Sequence, residues 1–145
     1  MIVAAHTAAG GFLGRLINPG SGREWTLTIL LAAGSHILLD FLPQIGYTFD
    51  LHLRLIDLTG AVLIMLLMIK LVDFKKPVLI AGLAAAAPDI EHLLVDHTDI
   101  MSGRIFISHW NSFERIELSW QWGFTVEAGV IVLALTGIYL IERAC

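Results

Sequence analysis

Charge is scarce in this chain, and cysteine scarcer. Asp, Glu, Lys and Arg make up 15% of its 145 residues, against about 25% in a typical soluble domain. There is no basic excess either: the formal net charge is −4, which argues against a phosphate-binding basic patch and makes nucleic acid a poor partner. The single cysteine, Cys145, excludes an intrachain disulfide and a cysteine-based zinc site. No basic segment precedes the first apolar run, because Arg15 and Arg23 follow it, so a cleaved signal peptide is not expected. Repeats, low-complexity tracts and linkers are also missing, and residues 1–145 read as a single domain.

What the chain has in quantity is apolar surface. Hydrophobic residues make up 57% of it and the mean hydropathy is +0.78, which predicts an integral membrane protein. The pattern predicts an all-α bundle of four to five helices. Met1–Ile17 is the first; its Gly10, Gly11 and Gly14 suit a helix that packs closely inside a membrane bundle. Asn18–Gly22 is a turn, with Trp25 as an interfacial anchor beyond it. The second helix is expected over Thr26–Leu42, ended by Pro43, the third over Arg54–Leu71 and the fourth over Pro77–Val95. Trp122–Ile141 is the fifth. Between the last two, Phe106, Trp110, Phe113 and Trp120 recur near helical spacing against Glu114, Arg115 and Glu117. That alternation predicts one amphipathic helix lying in the membrane interface.

With the N-terminus outside, the inner loops and tail carry Arg15, Arg23, Lys70, Lys75, Lys76 and Arg143, and the outer segments only Arg54, Arg104 and Arg115. Six against three favours this orientation. The alternation of spans then places all six histidines and ten of the thirteen acids at one face, whichever way the bundle is inserted.

Two pairs stand out. His36 and Asp40, in S-H-I-L-L-D, are four apart; Asp89 and His92, in P-D-I-E-H, are three apart. Each pair shares a helix face at the end of an apolar segment. Ionisable groups there are costly unless paired, protonated or bound to a cation. Imidazole and carboxylate together are the usual ligands of zinc and similar divalent ions. The two pairs can present four ligands to one cavity, and His6 on a third helix can add to them. Asp89 is a candidate bridging carboxylate. Glu91 is either a general base or a solvated acid. Asp57 is either a ligand or base, or the ion-pair partner of Arg54, three residues earlier. His52 and His97 suit the interface, and His109, in S-H-W-N, is open to ligand or substrate contact.

The segments A-H-T-A-A-G, S-H-I-L-L-D-F-L-P and A-A-P-D-I-E-H resemble those of small bacterial integral membrane proteins known as membrane-bound metal-dependent hydrolases. That family is itself similar to zinc-dependent phospholipase C and P1-type nucleases. The H-R-x-x-T-H-S segment that many of its members carry is missing from this chain. The resemblance implies a bacterial inner-membrane enzyme with His6, His36, Asp40, Asp89 and His92 as metal ligands. Zinc or a related ion would activate water at the outer face against a small phosphoester or a membrane lipid. The same cluster also suits a non-enzymatic protein, with a structural metal or a polar docking surface.

Overall fold

The computed structural model describes residues 2–45, 51–73, 75–97, 103, 105 and 116–144, with the side chains of 44, 45, 51, 53, 92, 93, 96 and 97 left aside. It is all-α apart from one short strand pair. The helices are α1 (Val3–Ile17), α2 (Gly22–Asp40), α3 (Leu51–Leu71), α4 (Lys75–His97) and α5 (Trp120–Ala144). Two-residue strands, β1 (Gln44–Ile45) and β2 (Glu117–Leu118), pair in parallel.

The hub is α1, which packs against each of the other four helices. It can do so because it is short and its contact face is nearly bare. A Cβ placed on Gly10 would lie 2.5 Å from both the Ala81 carbonyl oxygen and the Ala85 Cβ, and one on Gly14 would collide with the Pro77 carbonyl. Glycine at these positions lets the α1 and α4 backbones approach within the reach of one hydrogen atom. The start of α1 is capped from another element: Asp57 of α3 accepts the Val3 N–H at 2.9 Å and the Ala4 N–H at 3.3 Å. Its end closes on Asn18 in the left-handed conformation, with φ of 45°, whose N–H donates to the Gly14 carbonyl. Nearby, Arg15 pairs with Glu142 of α5 in a largely buried ion pair.

Helix α2 begins four residues earlier than the apolar run suggests. Ser21 and Glu24 form a reciprocal capping box: the Ser21 hydroxyl accepts the Glu24 N–H and the Glu24 carboxylate accepts the Ser21 N–H. Gly22, expected as the end of the turn, and Trp25, expected as an interfacial anchor, therefore both belong to the first helical turn. Trp25 lies under Lys76 of α4, whose Nζ is 5.6 Å from the ring centre.

The distribution of residues is inverted relative to a soluble domain. Leu30 is 64% exposed, Leu38 70%, Leu63 61% and Leu133 75%, while His6 and His36 are fully buried. The buried positions of α2 are Thr28, Ala32, His36 and Asp40, a single stripe at four-residue spacing. Hydroxyls on the helices bond to their own backbone: Thr28 donates to the Glu24 carbonyl, Ser35 to Ala32, Thr59 to Leu55 and Thr125 to Gln121. At the end away from the histidines the interior is apolar, with Met65, Met68, Val72, Val78 and Ile138 packed together against Phe12 and Leu135.

Among the described residues one helix, Trp120–Ala144, is long and apolar enough to cross a membrane. The expected interfacial helix falls mostly outside the described residues. At its C-terminal end Glu117 and Leu118 are extended and paired with β1, and Trp120 already opens α5. That end is therefore not helical, because ladder hydrogen bonds to Gln44 and Ile45 take up its backbone groups.

Candidate metal centre

Three stripes of side chains meet at the site, each built at i,i+4 spacing on small residues. Helix α1 contributes His6, Gly10 and Gly14; α2 contributes Thr28, Ala32, His36 and Asp40; α4 contributes Pro77, Ala81, Ala85 and Asp89. The small members let the three backbones draw together, and the polar member closes each stripe at the same end of the bundle. The N-terminus of α1 and the C-terminal parts of α2 and α4 supply the donors, which is the antiparallel arrangement their short connections impose.

The geometry there is tight. The His6 and His36 rings stack with centroids 3.8 Å apart and planes at 21°. Asp40 faces both: its Oδ1 is 3.4 Å from His6 Nε2 and its Oδ2 is 3.2 Å from His36 Nε2. On the other side of the His36 ring, Nδ1 lies 3.0 Å from the Ala85 carbonyl oxygen and 3.9 Å from Asp89 Oδ2. His6, His36 and Asp89 each offer a ligand atom within 4.8 Å of one another. His6 Nδ1 and Asp89 Oδ2 are buried without a hydrogen-bond partner among the described residues. Buried polar atoms left in that state carry a desolvation cost that a proton or a cation would relieve.

Of the five ligands suggested by the sequence, the fold brings together His6, His36, Asp40 and Asp89. His92 is on α4, and its side chain lies outside the described residues, as do those of His97 and His109. His52 is exposed. The two candidate bases are engaged elsewhere. Asp57 uses both oxygens to cap α1, as described above. Glu91 is buried, 4% exposed, and accepts the backbone N–H of Ile105, so the reading of it as a solvated acid does not hold.

Two features of the site were not foreseen from the sequence. One is the carbonyl of Ala85, which faces His36 Nδ1; nothing in the sequence marks it, because the missing N–H of Pro88 inside α4 frees the Ala84 carbonyl rather than this one. The other is the cap on α1 from Asp57, which positions the turn carrying His6 and joins residues 54 apart in sequence. Glu127 of α5, expected at this end, is buried at 1% exposure.

No family model, no curated protein and no solved structure matches the chain.

Proposed function

We propose that this chain is a membrane-embedded, metal-dependent hydrolase of a phosphoester, with zinc or a similar divalent ion bound where His6, His36, Asp40 and Asp89 converge. The observation that carries the reading is the convergence of two imidazoles and two carboxylates from three helices in one buried spot. The donor set fits the group. Imidazole and carboxylate are the ligands that zinc and its neighbours take, and atoms of His6 and Asp89 with no hydrogen-bond partner among the described residues sit at the site. A divalent ion there supplies the Lewis acidity that makes water a nucleophile near neutral pH. The residues do the rest. Asp40 and the two imidazoles hold the charge, the bundle excludes bulk water, and Asp89, the most exposed of the four at 13%, is placed to take a proton at Oδ2.

Membrane embedding rests on α5 together with the inverted surface. Leucines project outward from α2, α3, α4 and α5, whereas buried helix contacts are built on Gly, Ala, Thr and His, the arrangement that lipid as solvent favours. With Lys70 at the end of α3 and Lys75 and Lys76 at the start of α4 on the cytoplasmic side, the cluster faces outward, where lipid headgroups or small phosphoesters are the candidate substrates.

One observation favours a second reading, a structural ion in a non-enzymatic protein. His6, His36 and Asp40 are at most 3% exposed, and structural metal sites are closed. Turnover decides between them. Purified protein in detergent, assayed against a panel of phosphomonoesters, phosphodiesters and phospholipids, should hydrolyse at least one class, lose the activity to a chelator and regain it with zinc. Metal binding without turnover on any of them would support the structural reading.

A further inference from the structure

Resting on that reading of the site, we infer that the two carboxylates have different jobs: Asp40 is a ligand, and Asp89 stands outside the ligand set. The argument starts at the Ala85 carbonyl. A backbone carbonyl oxygen can only accept, so His36 Nδ1, 3.0 Å away, must be the nitrogen that carries hydrogen. A protonated ring nitrogen has no lone pair to give to a metal. His36 therefore binds a cation through Nε2 alone.

The two carboxylates lie on opposite sides of that ring. Asp40 Oδ2 is 3.2 Å from Nε2, whereas Asp89 Oδ2 is 3.9 Å from Nδ1. A cation shared between His36 and a carboxylate is thus shared with Asp40. The second imidazole agrees, because His6 Nε2 approaches Asp40 Oδ1 at 3.4 Å. Ligands bonded to zinc at 2.0–2.1 Å in a tetrahedron stand about 3.3 Å from one another, and the 3.2 Å from His36 Nε2 to Asp40 Oδ2 matches that edge for a carboxylate bound through Oδ2.

Asp89 and the Ala85 carbonyl then form the outer layer. The carbonyl fixes the tautomer and orientation of His36, as outer partners of ligating histidines do. Asp89 adds negative charge beside Nδ1 and keeps Oδ2 available. Both come from α4, four residues apart, and so share the helix face turned to α2.

The test is nitrogen-15 NMR of histidine-labelled protein loaded with cadmium-113 in detergent, with cadmium affinities of the Asp40→Asn and Asp89→Asn variants. The inference expects one-bond coupling from cadmium to His36 Nε2, with Nδ1 still protonated. Asp40→Asn should weaken binding by more than about 100-fold, beyond the range of an outer-shell partner, and Asp89→Asn by about 10- to 100-fold, within it. Coupling to His36 Nδ1, or a larger loss in Asp89→Asn than in Asp40→Asn, would overturn it while leaving the metal centre in place. Failure of the unaltered protein to bind cadmium or zinc would remove the metal centre itself. The coupling measurement uses unaltered protein, so it holds even where a variant misfolds.

Discussion

Alanine at Gly10 should cost stability that alanine at Gly34 does not. Both glycines lie inside helices, so each substitution gains up to about 1 kcal/mol of helix propensity, and that gain cancels when the two variants are compared. What differs is space. At Gly10 the new Cβ would stand 2.5 Å from the Ala81 carbonyl oxygen and 2.5 Å from the Ala85 Cβ, whereas at Gly34 nothing lies within 4 Å. Ordinary contact begins at 3.4 Å, and the obstacle at Gly10 is backbone that no rotamer change can move. Helix α1 must back away from α4 by roughly 1 Å, and overpacking of that kind costs about 1–3 kcal/mol. The two variants should therefore differ by that amount, a factor of about 5 in the folding equilibrium for each kcal/mol. Unfolding in mixed micelles, titrated with a denaturing detergent and followed by tryptophan fluorescence, reads the difference. His6 is one turn before Gly10, so metal affinity should fall in Gly10→Ala and hold in Gly34→Ala. Equal stability of the two variants would refute the close packing of α1 on α4.

Three further outcomes are expected. Ser21→Ala removes the α2 cap and should cost about 1 kcal/mol; its partner Glu24 has a carboxyl held below its usual value of 4.5, first by the Gly20 N–H and then by the Ser21 N–H. A depressed folded-state pKa stabilises above the unfolded value and is lost as pH falls through the folded one. Stability should therefore decline below pH 4.5 more steeply in the unaltered protein than in Glu24→Gln, and matching acid limbs would contradict the cap. Cys145 follows the last basic residue of the chain, so a membrane-impermeant maleimide should leave it unlabelled in intact cells and label it after permeabilisation. Ready labelling of intact cells would move the cluster to the cytoplasmic side.

Much of this architecture is legible in the chain, and the parts that are not share a cause. Apolar runs mark the helices, and among the described residues Trp120–Ala144 is the one long and apolar enough to cross a membrane. The glycines of α1 announce a close helix contact without naming the partner, since Gly10 and Gly14 meet α4 some 70 residues on in the sequence. The start of α2 lies earlier than the apolar run suggests because N-P-G-S-G reads as a turn through Gly22, until the Ser21–Glu24 reciprocity is recognised. His36, Asp40 and Asp89 stood out since ionisable residues are conspicuous in apolar helices, and His6 joined them once the spans alternated. The role of Asp57 was not legible: its neighbour in sequence is Arg54, but its hydrogen bonds go to Val3 and Ala4. The same holds for Glu91, whose carboxylate accepts the backbone N–H of Ile105, 14 residues on. Local spacing reveals which residues share a face; it does not say what the face meets.

The measurement closest to the central claim is the metal content of protein purified in detergent without added chelator, read by elemental analysis against protein concentration. One divalent ion per chain in the unaltered protein, and none in the His6→Ala/His36→Ala double variant recovered folded, is the predicted result. An unaltered protein that carries no divalent ion, even after incubation with zinc, would contradict the account, as would a double variant that carries as much.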